Sequence, residues 1–230
     1  MKYVRFVYVL LLVVYFQTAS AQQGENRKVG SFLGIGAAEG IDVFLKKGDQ
    51  TSVRVETEGS TSPSDIITEV SGTYLKIHVR DASRLRNVHA KVYVTYTTLE
   101  KLSVSSAANV YSQGVIKTQS LQIGCSSAGS AELELEVGEL EVNVSSAGDL
   151  SLKGRAGEIN IDVSSAGEMD AYDLDADVVH VSASSGGSAK VSVLKELNAQ
   201  ASSGADIRFK GNPSKSRTDS SSGGSVKKSY

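Results

Sequence analysis

A four-residue motif of small residues recurs seven times in the C-terminal half of the chain, and it limits the possible folds more than any other feature. The first residues of the copies are Ser105, Ser126, Ser145, Ser164, Ser184, Ser202 and Ser221. The motif reads SSAG in three copies and SSAA, SSGG or SSGA in the others, and successive copies lie 18 to 21 residues apart. A fixed period of about 20 residues is typical of a stacked repeat architecture. The repetition indicates a structural role and argues against a single serine nucleophile on a tight turn.

The segments around each motif have the alternation of a β-strand. Before the third copy, Leu140, Val142 and Val144 alternate with Glu141 and Asn143. A second apolar column stands five residues after the first serine of each copy: Val110, Ala131, Leu150, Met169, Ala189, Ile207 and Val226. This period of two indicates strands with one buried face, and no repeat has room for a helix of about ten residues. The sequence predicts an all-β fold, a right-handed parallel β-helix (a β-solenoid) with coils of about 19–20 residues. A left-handed helix of six-residue repeats fits less well, because the period is usually longer and the corner residues differ.

The small residues of the motif are predicted to form the corners of the coils. Equivalent residues of neighbouring coils stack about 4.8 Å apart. The third and fourth positions hold only Ala or Gly in all seven copies, which predicts a bend with positive φ or a close approach of backbones. The seven first-position serines are predicted to form a ladder. Their hydroxyls would either satisfy backbone groups of the corner or pass hydrogen bonds from coil to coil.

The first 21 residues have the pattern of a secretory signal peptide. Lys2 and Arg5 precede a short apolar run, and Ala19-Ser20-Ala21 has the form of a cleavage site. The sequence therefore predicts export to the periplasm, the outer-membrane surface or the medium. No transmembrane segment is expected after cleavage.

Residues 22–100 lack the visible repeat but keep strand patterns, whereas residues 101–230 hold the solenoid repeats. One continuous domain over residues 29–230 is expected. The N-terminal module is interpreted either as an antiparallel cap or as the first irregular coils, since an open end needs covering. Residues 41–46 and 52–58 are predicted to form a hairpin. Ser216, Thr218 and Ser220 replace apolar core residues in the last repeat, which predicts a polar end.

The residues most often used in catalysis do not cluster in the sequence. The three histidines, His78, His89 and His180, have no ligand spacing. Cys125 is the single cysteine and falls in an inward column, so it is predicted to be a core residue without a disulfide. Basic residues are scattered and the formal net charge is −2, which argues against nucleic-acid binding. No cofactor is predicted.

Two acidic residues stack in the predicted solenoid. Asp149 and Glu168 occupy the same position of adjacent coils. Stacked carboxylates are suitable ligands for calcium. The alternative is a solvated acidic face, which is the more common role of such residues.

Much of the chain resembles a known family. The resemblance depends on SFLGIGAAEGIDVFLKKGDQTSVRVETE, YLKIHV, VYVTYTTLEKLSVSSAANV and the SSAG-type repeats. These segments resemble the auto-transporter adhesin head GIN domain family, which is common in exported proteins of Bacteroidetes. A Gly-Ile-Asn motif would correspond to Gly40-Ile41-Asp42, with Asp in the place of Asn. The resemblance implies an all-β, β-helix-like domain exported to the cell envelope or beyond, and it does not imply a proven activity of any kind.

The leading functional prediction is an exported, non-catalytic envelope or surface protein that acts as an adhesin-like binding or structural module. Glycans, envelope proteins and host surface proteins are the expected partners. Since no aromatic residue lies between Tyr111 and Tyr172, the suggested ligand contacts are Tyr74, Tyr93 and Tyr96. The alternative is a carbohydrate-active β-helix enzyme of the polysaccharide lyase or hydrolase type, for which the argument is fold analogy alone.

Overall fold

The computed structural model describes residues 23–81 and 88–229, so the predicted signal peptide lies outside the described residues. Apart from a single-turn 3-10 helix at Pro63–Asp65, the regular secondary structure of this part of the chain is all β-strand. None of its helices is long and apolar enough to cross a membrane. Its strands are β1 (Gln23–Arg27), β2 (Gly34–Ala37), β3 (Asp42–Lys47), β4 (Ser52–Thr57), β5 (Ile66–Ser71), β6 (Tyr74–Val79), β7 (Ala90–Tyr96), β8 (Lys101–Val104), β9 (Asn109–Cys125), β10 (Ser130–Val144), β11 (Asp149–Val163), β12 (Glu168–Ala183), β13 (Ser188–Ala201), β14 (Asp206–Lys210), β15 (Lys215–Ser220) and β16 (Ser225–Lys228).

Strands β9 to β13 form the regular part of a parallel β-solenoid. Each runs from one small-residue motif to the next and pairs in parallel with its neighbours in the chain. The predicted apolar columns are in register, with Val142 between Ile123 and Ile161. These three side chains are at most 3% exposed. The prediction of an all-β parallel solenoid is confirmed, and its handedness stays a prediction.

The small-residue motifs are four-residue corners. In the third copy, Ser146 and Ala147 have φ angles of 51° and 59°, and the Gly148 N–H donates to the Ser145 carbonyl oxygen at 2.9 Å. Two positive φ angles and this hydrogen bond describe a type I′ turn. The fourth residue is small for another reason, because a Cβ at Gly148 would lie 2.6 Å from the Cys125 carbonyl oxygen of the preceding coil. Both predicted reasons for small residues therefore apply within one corner: positive φ at the second and third positions, and the close approach of backbones at the fourth.

The N-terminal module contains further coils of the same solenoid. β2, residues 38–41 and β3 form one coil, whose corner has Glu39 and Gly40 at φ angles of 66° and 70°. β2 lies between β6 and β8, and β3 lies between β7 and β9, with parallel pairing throughout. β6 and β7 form the adjacent coil towards the N-terminal end. This additional corner was not predicted, because it reads AEGI instead of SSAG.

Antiparallel strands cover the N-terminal end of the stack. β4 pairs with β7, β1 pairs with β4, and β5 pairs with β6. The predicted hairpin of residues 41–46 and 52–58 is therefore wrong: β7 lies between β3 and β4, since both edges of β3 have parallel partners. Arg27 on β1 holds this cap together, and its guanidinium donates to the carbonyl oxygens of Ile66 and Pro63, each at 2.6 Å. The module is thus both a cap and a set of coils.

The C-terminal end of the stack is polar. β15 pairs with β13, and β16 pairs with β14. Ser216, Thr218 and Ser220 lie in register with Leu197, Ala199 and Ala201. All residues of β15 are exposed, whereas those three residues of β13 belong to the core. On β15 the apolar columns therefore end on serine and threonine side chains, whereas Val226 on β16 still packs against the core.

Candidate functional site

Three outward-facing aromatic rings stack on one another near the N-terminal end of the solenoid. Tyr93 on β7, Phe44 on β3 and Tyr111 on β9 occupy matching positions of adjacent parallel strands. The ring centroids of Phe44 and Tyr93 are 5.1 Å apart, and those of Phe44 and Tyr111 are 5.3 Å apart. The interplanar angles are 19° and 22°. All three residues are partly exposed. We call this stack the aromatic ladder.

The aromatic ladder follows from the register of the parallel strands. Such strands place equivalent residues about 4.8 Å apart, and offset aromatic rings stack at roughly this centroid distance. Residues 42–44 and 109–111 each begin directly after a corner, so the third residue faces outward in both. Phe44 and Tyr111 were not among the predicted ligand contacts. Both residues stand third after a corner, and this common position would have predicted that their rings stack. It can be recognised only when residues 38–41 are identified as a corner.

A column of charged and polar residues runs beside the aromatic ladder. Glu56, Lys91, Asp42 and Asn109 occupy successive strands of this polar column. Asn109 Nδ2 donates to Asp42 Oδ1 at 2.8 Å. Glu56 is 9% exposed, and its carboxylate pairs with the Arg54 guanidinium at 2.5 Å. Neighbouring contacts thus hold several of these groups in fixed positions.

A cavity of about 210 Å³ opens at the N-terminal end of the polar column. Its charged and titratable lining residues are Asp42, Glu56, Glu58, His89 and Lys91. Carboxylates, an imidazole and an ammonium group provide both donors and acceptors for a polar ligand. Aromatic and hydrogen-bonding groups therefore meet on one side of the N-terminal coils.

The tyrosine hydroxyls of the aromatic ladder stay protonated at neutral pH. Partial burial raises the pKa of Tyr93, and the nearby Glu56 carboxylate raises it further. Partial burial also raises the pKa of Tyr111, and the charges of Asp42 and Glu132 act in the same direction. Because both pKa values lie above the ordinary 10.0, each hydroxyl can donate and accept a hydrogen bond at pH 7.

The structure separates the three tyrosines suggested as ligand contacts. Tyr93 lies in the aromatic ladder. Tyr74 lies on β6, where its ring covers Gly34: a Cβ added there would be 2.8 Å from the ring. Tyr96 is 3% exposed, and burial raises its pKa. The prediction of Tyr96 as a ligand contact is therefore wrong. Tyr96 lies three residues after Tyr93 on β7, and an odd separation places it on the opposite, inward face of the strand.

Asp149 and Glu168 are paired positions of adjacent strands, and Ser130 and Ser188 continue the same column. Calcium takes roughly six to eight oxygen ligands. Residues 23–81 and 88–229 contain no group of three or more His, Cys, Asp or Glu side chains that could hold a metal ion. The two carboxylates alone do not make a calcium site, and calcium binding there stays a hypothesis.

Neighbouring corners are joined by backbone hydrogen bonds. The Ser126 N–H donates to the Val104 carbonyl oxygen at 2.9 Å, and the Ser145 N–H donates to that of Cys125 at 3.0 Å. The first-position serines therefore follow one another from coil to coil. Since these bonds join backbone atoms, the predicted ladder role of the serine hydroxyls stays a prediction.

Cys125 is a core residue, as its column predicts. It is 1% exposed, and its Sγ donates to the Gly129 carbonyl oxygen at 3.0 Å. Burial raises the pKa of the thiol to about 11 from the ordinary 9.0.

The reactivity of the Cys125 thiol tests this placement. Because the thiolate is the reactive form, we expect a disulfide reagent at pH 7.5 to modify the folded protein at a rate more than about tenfold lower than that of the urea-unfolded chain. Equal rates would contradict the buried placement. The neutral thiol stabilises the fold below pH 9.0, and this contribution decreases as the pH rises towards about 11.

Comparisons with known proteins agree with this fold. Residues 31–213 match the family described as "putative auto-transporter adhesin, head GIN domain". The solved structure of a protein described as a putative adhesin from Bacteroides fragilis is similar, with a TM-score of 0.82 and 21% identity over 91% of this chain and 97% of that chain. One described as a putative adhesin from Parabacteroides merdae has a TM-score of 0.73 and 17% identity over 91% of this chain and 96% of that chain.

A third similar structure is described as a putative lipid binding protein from Parabacteroides distasonis. Its TM-score is 0.70 and its identity 17%, over 91% of this chain and 97% of that chain. No curated protein matches the chain. At these identities the likeness to solved structures shows the fold alone. The family match is broader evidence, because it includes both the N-terminal coils and most of the repeats. The chain therefore belongs to the auto-transporter adhesin head GIN domain family.

Proposed function

We propose that this protein is an exported, non-catalytic binding module of the cell surface, and that the aromatic ladder contacts its partner. The observation that carries the proposal is the position of three stacked rings, in contact with one another, on the outside of a sheet whose core lies on its other face. Single exposed aromatic residues are ordinary. Three in one column, beside charged groups, have the composition of a protein or ligand interface, where Tyr and Phe are enriched.

The scaffold is suitable for binding because it is ordered in advance. Phe44 and Tyr111 lie on strands with parallel partners on both edges. A site on paired strands loses little conformational entropy when a partner binds, which increases affinity. The similar proteins described as adhesins support a role in attachment.

A carbohydrate-active enzyme is the second candidate. The cavity beside the aromatic ladder contains Asp42, Glu56 and Glu58, and glycosidic bond cleavage commonly uses a pair of carboxyl groups. The Glu56 carboxylate, however, is already paired with Arg54. An assay for new reducing ends, after the purified protein has been incubated with soluble polysaccharides, tests whether the protein cleaves glycosidic bonds. Product formation that is lost in Glu58→Gln would favour the enzyme.

The proposed location is tested by labelling intact cells that express the protein with a membrane-impermeant, amine-reactive biotin reagent. Labelling is preferable to proteolysis, because continuously paired strands open rarely for a protease. Lys46, Lys47 and Lys227 are among the exposed targets. We expect biotin on this protein in intact cells and none on a periplasmic marker protein. Labelling only after the outer membrane is opened would place the protein in the periplasm and contradict a role at the cell surface.

A further inference from the structure

The aromatic ladder hides most of its own ring surface. Phe44 is covered on both faces, by Tyr93 on one side and by Tyr111 on the other. A ligand can therefore stack only on the outer face of Tyr93 or on the outer face of Tyr111. The surroundings of these two faces differ.

The outer face of Tyr93 points towards β4, where charged groups are already paired. Arg54 lies opposite Tyr93 in the antiparallel register of β4 and β7. Its guanidinium pairs with the Glu56 carboxylate at 2.5 Å, and the same carboxylate is near enough to Tyr93 to raise the pKa of its hydroxyl. These contacts occupy this end of the aromatic ladder.

The outer face of Tyr111 points towards β10 and opens into a recess of about 200 Å³. The polar side chains around this recess belong to Ser112, Glu132, Glu134, Ser151 and Lys153. Glu132 is the β10 residue in register with Tyr111. Because this position holds a glutamate instead of a fourth aromatic residue, no ring continues the stack over this face.

A β-bulge next to Tyr111 makes room for the recess. Tyr111 is in register with Glu132, whereas Val115 is in register with Glu134, so β9 has two extra residues at this point. The Ser112 hydroxyl accepts the Glu134 N–H at 2.8 Å in the bulge. Bulges are common beside binding and active sites, where they redirect side chains. The repeat that contains this bulge is also the longest, with 21 residues from its first serine to the first serine of the next copy.

We propose that this recess binds a neutral or N-acetylated hexopyranose, with the sugar ring stacked on the outer face of Tyr111. The C–H groups on one face of a pyranose ring carry partial positive charge, which packs against the negative face of an aromatic ring. The Glu132 carboxylate and the Ser151 hydroxyl supply hydrogen-bonding groups for the sugar hydroxyls. This inference depends on the proposed binding function and names its ligand class.

The charges of the recess select between classes of sugar. Lys153 is paired with Glu134, with 3.3 Å between Nζ and the carboxylate oxygen. The recess thus holds two carboxylates, of Glu132 and Glu134, and one ammonium group. Like charges in one site repel, so a uronic or sialic acid is disfavoured relative to a neutral sugar.

Saturation-transfer NMR on the purified protein tests the proposal. The probes are methyl β-D-glucopyranoside, methyl β-D-galactopyranoside, N-acetylglucosamine, glucuronic acid and N-acetylneuraminic acid. We expect saturation of ring protons in at least one neutral or N-acetylated probe and weaker saturation of both acids. Tyr111→Ala is expected to weaken binding by about tenfold or more, and Tyr111→Phe by less than about twofold. Tyr172→Ala is the matched control, because it removes a partly exposed tyrosine of β12 that belongs neither to the aromatic ladder nor to the recess.

A second variant keeps the test independent of the stability of the aromatic ladder. Ser151→Phe fills the recess without altering any ring of the stack, and it is expected to abolish binding while the circular dichroism spectrum stays that of the parent. The proposal is overturned if no neutral probe is saturated, if the acids bind as well as the neutral sugars, or if Tyr111→Ala binds like the parent. Because binding is measured on purified protein, its outcome is separate from the cell-labelling result.

Discussion

Replacing Gly154 with alanine is expected to lower the free energy of unfolding by about 2 kcal/mol more than replacing Gly114 with alanine. The two glycines have nearly the same φ, 115° and 114°, so the strain of a side chain at positive φ is common to both variants. Their surroundings differ. A Cβ at Gly154 would lie 2.1 Å from the Leu135 carbonyl oxygen of the adjacent coil, whereas a Cβ at Gly114 would meet no atom within 4 Å. The difference between the variants therefore isolates the close approach of two coils.

Chemical unfolding followed by far-ultraviolet circular dichroism measures this difference. Stability in a stacked repeat is roughly a sum of coil and interface terms. Gly154 lies on β11, which pairs with strands on both sides, so movement away from Leu135 also disturbs the next interface. We expect a lower transition midpoint for Gly154→Ala than for Gly114→Ala. If both variants lose the same free energy of unfolding, the positive φ angle alone causes the loss. The backbone would then move away from the Leu135 carbonyl oxygen at little energetic cost.

The repeat made most of the fold predictable, because one corner and one column define every later coil. The order of the N-terminal strands was not predictable in the same way. The chain builds the coil of β2 and β3 before the coil of β6 and β7, although the latter lies nearer the end of the stack. Local patterns fix which residues face inward. They do not determine which strands pair with one another. For this reason the predicted hairpin of residues 41–46 and 52–58 was wrong.

The candidate site was predictable only in part. Alternation with Val92 and Val94 places Tyr93 on the outer face, and the structure agrees. The same alternation puts Tyr96 inside, so a strict use of the period would have removed it from the candidates. Phe44 and Tyr111 are 67 residues apart and meet only through the pairing of β3 with β9. The aromatic ladder is thus a property of coil register, which a single strand does not reveal.

The polar C-terminal coil is expected to keep the solenoid from stacking end to end. β15 has β13 as its partner on one edge and exposes all its residues, including Ser216, Thr218 and Ser220, which cover the core of the preceding coil. The combined variant Ser216→Val, Thr218→Val and Ser220→Val would extend the apolar columns to this strand. An apolar, exposed strand at the edge of a sheet is a template for pairing with another chain. We therefore expect this variant to self-associate as its concentration rises.

Sedimentation velocity at increasing concentration measures this effect, and the chain offers a close control. The variant Ser216→Thr and Ser220→Thr retains Thr218, so it has the same β-branched shape at all three positions but keeps the hydroxyls. If polarity protects the end, the sedimentation coefficient of the valine variant rises with concentration, while that of the threonine variant follows the parent. If both variants associate, strand propensity is the cause, because β-branched side chains favour the extended conformation in either case. If neither does, Lys215, Arg217 and Asp219 on the outer face of β15 are sufficient to block pairing, which is a known role of charge on edge strands.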